Sequence, residues 1–183
     1  MKTTKFFILV ALVTGLFVSS CSKEIVSVPV PIPDFKVNFS VNVEDPQASG
    51  LRSDNEFKRF SGTGTININD EEFNNLRYNL DNIITSSLSI GTVEVRVTSS
   101  SGTLAKDIVL SSPIGNFEVG QYTFGDVYYS DPALIGYAKD LFLRFIIDGQ
   151  ITVSVAGSTD ADADGDFRVS LFFGDVEIRA KVV

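Results

Sequence analysis

Residues 170–180 read SLFFGDVEIRA, and residues 87–97 read SLSIGTVEVRV. The two segments share Ser, Leu, Gly, Val, Glu and Arg at matching places. In each, apolar side chains recur at every second position, the period of a strand with one buried face. In each, the parity turns over at the glycine. Leu88 and Ile90 are even-numbered, whereas Val93, Val95 and Val97 are odd; Leu171 and Phe173 are odd, whereas Val176, Ile178 and Ala180 are even. A slip of one residue exchanges the two faces of a strand. Gly91 and Gly174 are therefore each expected to mark a bulge or a tight hairpin turn. Similar strands with similar needs account for the echo; two related halves, each with one helix, are the other reading.

The same period extends outward from these segments. Phe35, Val37, Phe39, Val41 and Val43 alternate with Lys36, Asn38, Ser40, Asn42 and Glu44, a half-buried strand. Residues 59–69 alternate through Phe60, Ile66 and Ile68 with Gly62 and Gly64 on the same face, which predicts close approach by another element or a bend. Further strands are expected at 84–90, 92–99, 104–111, 117–124, 150–157, 167–173 and 175–183, separated by turn-forming SSSGT, SSPIGN and DGQ and an acidic loop. Two helices interrupt them. One is predicted over 70–81, with Asn69 as cap, Glu72 at its third position and Phe73, Leu76 and Leu80 at helical spacing. The other is predicted over 132–146, capped by Asp131 or Ser130, with Pro132 in its first turn and Ile135, Ala138, Leu141, Phe142 and Phe145 inward. Short strands at this spacing predict a mainly β, antiparallel domain, a two-sheet sandwich or a barrel, with two short helices.

The composition excludes several kinds of chemistry. The 183-residue chain carries 15 Lys and Arg against 23 Asp and Glu, a formal charge of −8. Such an acidic chain without a basic cluster repels phosphate backbones, so no nucleic-acid partner is expected. It has no His and no Trp. Without His, the commonest general base and the commonest metal ligand are both missing. No G-x-S-x-G occurs, and the Gly-rich SGTGT lacks the Lys and following helix of a phosphate loop. Glu94 and Glu177 occupy matching places in the echo and are expected to face outward beside Arg96 and Arg179.

The N-terminal stretch has the parts of an export signal. Lys2 and Lys5 precede an apolar run from Phe6 to Val18, of signal-peptide length and short for a membrane span. Val18-Ser19-Ser20-Cys21 follows, and Cys21 is the only cysteine. This stretch resembles the lipobox of bacterial lipoproteins. The resemblance implies a signal peptide over 1–20 and cleavage before Cys21 by signal peptidase II. It also implies a diacylglycerol on Cys21, with a third acyl chain as a rule. More than one acyl chain holds a protein durably on a membrane. Ser22 after the cysteine is not Asp, which in that family implies the outer membrane, at its periplasmic face or the cell surface. Residues 21–34, with Pro29, Pro31 and Pro33 alternating with Val and Ile, are expected to form an extended tether of about 40 Å at ~3.1 Å per residue, or else an edge strand. The body then covers 35–183. Its order of elements resembles small Gram-negative envelope lipoproteins with an immunoglobulin-like β-sandwich, which implies a fold and no activity.

Two stretches are candidate sites. In STDADADGDF (158–167), Asp160, Asp162 and Asp164 fall at positions 1, 3 and 5 of a calcium loop, with Gly165 at position 6. Arg168 and Leu171 stand where an EF-hand places a water-bridging ligand and a bidentate Glu, so an EF-hand is rejected. A looser Ca²⁺ site using these carboxylates and Asp166 is one reading; a solvated hairpin loop turning at Asp164-Gly165 is the other. In QYTFGDVYYSDP (121–132), Tyr122, Tyr128 and Tyr129 either stack on a glycan or partner protein or pack beneath the second helix. The overall expectation is a membrane-anchored, non-enzymatic binding or structural module for a protein, glycan or lipid partner. The alternatives are an envelope hydrolase with paired carboxylates and a lipid-carrying sandwich.

Overall fold

The echoing segments turn out to be neighbours. The computed structural model describes residues 26–44, 57–102, 104–123, 129–162 and 166–181. Its strands are β1 (Ser27–Ile32), β2 (Phe35–Val43), β3 (Lys58–Asn67), β4 (Ile83–Thr98), β5 (Leu104–Ser112), β6 (Gly115–Thr123), β7 (Gln150–Thr159) and β8 (Arg168–Lys181). Helix α1 (Asn74–Tyr78) sits between two single 3₁₀ turns, Glu71–Phe73 and Leu80–Asn82; helix α2 is Pro132–Asp148. β4 carries one copy of the echo and β8 the other, and the two pair antiparallel.

Thr92 stands opposite Gly174 and Val93 opposite Phe173. A Cβ at Gly91 would fall 2.7 Å from the Cβ of Asp175. A local two-fold relation thus passes through the two glycines, and matched sequence follows from matched surroundings. Neither glycine is a hairpin turn or a bulge. Each strand continues through it, so the expected pairs 84–90 with 92–99 and 167–173 with 175–183 are single strands. Register holds from Ile90 opposite Val176 to Thr92 opposite Gly174 while both strands exchange faces together. Asp175 absorbs the change at a left-handed φ of 54°, and its N–H donates to Asp34 Oδ1 at 3.2 Å. The register shift in β4 lies earlier, between Ile84 and Ser89.

Asp34 is placed there because β1 and β2 run in file along one edge of β8, breaking at Pro33-Asp34. Residues 27–32 are therefore an edge strand and not a free tether. Alternate N–H groups of a strand point to opposite edges. A strand paired on one side can thus carry Pro at every second position without losing a ladder bond. Pro29 and Pro31 are exposed, while Val30 and Ile32 are buried.

β2 then changes neighbours. Phe35 to Phe39 pair with β8, and Ser40 to Val43 pair with β3. The close approach predicted from Gly62 and Gly64 is this crossing: a Cβ at Gly64 would meet Val37 Cγ1 at 2.6 Å, and one at Gly62 would meet Ser40 O at 2.7 Å. Beyond β3 the order continues β7, β5, β6. The class is mainly β and antiparallel with two short helices, as expected. The two layers are arms of one curled sheet joined through β2. Tyr129, beyond the end of β6, forms a single antiparallel bridge with Val95 of β4 and so links the β6 end of the order to the strand on the other edge of β8.

Helix α2 packs against β4 and β7, one strand from each arm. Asp131 caps it, accepting the Leu134 N–H at 2.8 Å, with Pro132 in the first turn; Gly149 ends it at φ 72°. Leu134, Ala138, Leu141, Phe142 and Phe145 are its buried stripe. Ile135, expected inward, is half-buried. The first helix is shorter than expected: Asp70, not Asn69, precedes its opening turn, and no side chain caps that turn. Phe35 stacks on Phe173, its cross-strand partner in β8, at 4.6 Å between ring centroids, and meets Phe73 of the 3₁₀ turn edge-on at 5.0 Å; Phe145 of α2 lies 4.9 Å from Phe73 and 5.3 Å from Phe142. Burying rings of this size supplies much of the apolar burial that drives folding.

Candidate functional site

The acidic stretch links β7 to β8, facing the serine-rich connection from β4 to β5. The two loops are interlocked by hydrogen bonds that run in both directions. Ser100 donates its N–H at 2.6 Å and its hydroxyl at 2.8 Å to one oxygen of Asp166. The Leu104 N–H donates to Asp160 Oδ1 at 2.9 Å, and the Asp160 N–H donates back to the Leu104 carbonyl at 3.1 Å. The Asp162 N–H donates to Ser101 Oγ at 3.0 Å, while its carboxylate takes Lys58 from β3 at 3.2 Å. Beneath them, buried Thr159 donates to the Leu104 carbonyl and accepts the Ala161 N–H, both at 3.1 Å. Packing is tight: a Cβ at Gly102 would fall 2.7 Å from both the Cα and the Cβ of Ala161.

This geometry answers what the aspartates do in the fold. Asp160, Asp162 and Asp166 each turn to a partner on a different segment. Among the described residues, no three Asp, Glu, Cys or His groups stand together as metal ligands. Asp164 and Gly165 lie outside the described residues. A calcium ion drawing in Asp162 would take it from Lys58. Leu171, at the position of the EF-hand glutamate, is fully buried. Two donors from Ser100, the backbone N–H foremost, hold the Asp166 carboxyl below its ordinary range, because both bonds favour the charged form. The aspartates were legible as a cluster, but their partners Ser100, Ser101, Leu104 and Lys58 were not. One signal was present: a loop rich in hydroxyl donors and a loop rich in acceptors flank the two echoing strands.

The tyrosine stretch divides. Tyr122 contributes its backbone to β6 opposite Ala105. The side chain of Tyr122 and the whole of Tyr128 lie outside the described residues. Tyr129 is half-buried, packs edge-on against Phe117 at 6.4 Å and donates its hydroxyl to Asp131 Oδ2. That hydrogen bond, with burial and the carboxylate charge behind it, pushes the Tyr129 hydroxyl up to about 12. The same bond, then the Leu134 N–H, lowers Asp131. Tyr129 thus holds the capping carboxylate of α2 in place, which is the packing role expected of one reading of this stretch. Tyr137 ties the helix to the β5–β6 turn, donating to Ser112 Oγ at 2.8 Å; burial raises its hydroxyl.

Glu94 and Glu177 pair along their own strands with Arg96 at 2.7 Å and Arg179 at 3.9 Å. The Arg96 guanidinium also covers the ring of Phe172, 3.8 Å from its centroid. Thr159 is the one buried polar or charged side chain among the described residues. Every described carboxylate therefore lies at or near the surface.

The opposite end of the β4–β8 pair is built differently. Val26, Val28, Val30 and Ile32 are alternate residues, and their exposure falls from 59% to 44%, 9% and 4% along that row. The apolar row begins in the core and runs out into water. Helix α1, lying against β1, adds Tyr78 at 79% exposure, with the Arg77 guanidinium 5.4 Å from its ring centroid. No described helix is long and apolar enough to cross a membrane. Comparison with protein-family models, curated proteins and solved structures finds no match to the chain.

Proposed function

We propose that this chain is a lipid-anchored protein of the Gram-negative envelope that acts as a non-enzymatic binding or structural module. The observation that carries the reading is the N-terminal sequence: two lysines, the apolar run Phe6–Val18, then Val18-Ser19-Ser20 before the only cysteine, Cys21. Acylated Cys21 holds the domain at the outer membrane, on its periplasmic face or the cell surface. The docked β1 alters the geometry of that anchor. With Ser27 already in the sheet, five residues lie between it and Cys21, a covalent reach of about 22 Å at most. The domain stays beside the bilayer instead of standing off on a long tether.

The partner is a protein, glycan or lipid of that surface. The loop end held by Asp160 and Asp166 lies at the opposite end of the β4–β8 pair from Ser27 and is the surface left for such a partner. The pairing of Glu94 and Glu177 with their own arginines favours a binding role over hydrolysis by paired carboxylates. The buried, mutually packed Phe rings favour a packed core over a lipid-carrying interior. The test is fractionation of cells producing the wild-type chain and Cys21→Ser. Wild type is expected in the membrane fraction, floating with lipid on a density gradient. The variant is expected to lose that association. Equal flotation of both proteins overturns the reading.

A further inference from the structure

The row of exposed valines on β1 ends the domain on the side from which the chain leaves toward Cys21. We infer that this end, carrying Val26, Val28 and Tyr78, is a docking surface that lies on the lipid bilayer and sets the orientation of the domain. The inference rests on the anchor reading and goes beyond it, because an anchor alone leaves the domain free to tumble.

Three observations choose the bilayer as occupant. The first is reach. Val26 is five residues from Cys21, so an acyl chain on Cys21 keeps Val26 within about 18 Å of the lipid. The second is the chemistry of the surface. Two valines on one strand face and a nearly fully exposed tyrosine beside an arginine are the side chains that settle at a membrane interface: aliphatic groups toward the acyl chains, the tyrosine ring at headgroup level, the guanidinium on phosphate. The third is the blocked edge of β1. Pro29 and Pro31 leave its free edge without the N–H groups that an incoming strand needs, which disfavours a second copy or a partner adding by strand pairing. What remains there is side-chain surface.

The single cysteine makes the test direct. With Cys21 acylated, Val28→Cys, Tyr78→Cys and Thr98→Cys each give one free thiol for a polarity-sensitive fluorophore. Thr98 lies exposed at the far end of β4 and serves as the reference. The full chain, purified from membranes, is reconstituted into phosphatidylethanolamine–phosphatidylglycerol vesicles with and without brominated lipid. The expected result is blue-shifted emission and quenching by brominated lipid at positions 28 and 78, with neither at 98. Water-like, unquenched emission at all three positions in protein that floats with the vesicles overturns the docking surface and leaves the anchor standing. A blue shift at 28 that disappears on dilution and ignores brominated lipid assigns the surface to a second copy and also overturns it. Protein that fails to float with the vesicles removes the anchor, and the inference falls with it.

Discussion

At one end of the β4–β8 pair, Asp160 and Asp166 take up the N–H and hydroxyl groups of the facing loop, and Gly102 lets the two loops close to contact. At the other end, Val26, Val28 and Tyr78 are open to water. The first end is finished by its own polar groups. The second carries apolar surface that the described residues leave uncovered. Both ends belong to the same pair of strands, and the echo makes the middle of that pair almost symmetrical. The difference therefore comes from what each end meets: the first meets another loop of the same chain, and the second carries the start of β1.

Substitutions at the middle and at each end separate the two kinds of surface. Phe173→Ala removes the ring that stacks on Phe35 and is expected to cost about 3–5 kcal/mol of stability in denaturant unfolding. A loss below about 1 kcal/mol would mean that the Phe35–Phe173 pair is not part of a tightly packed core. Gly102→Val forces a side chain against the backbone of Ala161 and is expected to cost about 1–3 kcal/mol, read as a lower midpoint in the same experiment. An unchanged midpoint would show that the loops are not interlocked.

The pH dependence follows from the shifted groups. Asp166 and Asp131 titrate lower in the folded chain than unfolded, so their contribution is complete above the ordinary carboxylate range and is lost as pH falls through the folded values. Asp166→Asn is expected to flatten part of the acid limb of melting temperature against pH. Tyr129 is shifted the other way, from 10.0 unfolded to about 12 folded. Its contribution is complete below pH 10 and disappears toward pH 12. Tyr129→Phe is expected to remove that alkaline limb and leave the acid limb from Asp166 unchanged. The smallest effect belongs to the other end: Val28→Ser is expected to change stability by no more than about 0.5 kcal/mol, because the side chain is already in water. A larger loss would place Val28 in the core and erase the contrast between the ends.

Much of this was legible in the sequence where a local rule applied. Period-two alternation located β2 and β3, Asp131-Pro132 marked the start of α2, and inward Gly62 and Gly64 announced the crossing by β2. Features that depend on non-local pairing were not legible. The echo did not reveal that its copies pair with each other, so Gly91 and Gly174 looked like turns or bulges instead of a shared crease. The alternating prolines of β1 point first to a tether and only permit an edge strand; the pairing with β8 decides against the tether for 27–32. The aspartates of 160–166 had the spacing of a calcium loop, but spacing says nothing of Ser100 and Lys58, which come from elsewhere in the chain to claim them.

The central claim is that this end of the molecule is tied to lipid through Cys21. The most direct measurement is the mass of the N-terminal peptide of the protein extracted from the membranes of a bacterium that produces it. The account predicts a peptide that begins at Cys21 and carries a diacylglycerol, with or without a third acyl chain. A peptide that begins elsewhere, or that contains Cys21 as a free thiol, would contradict it.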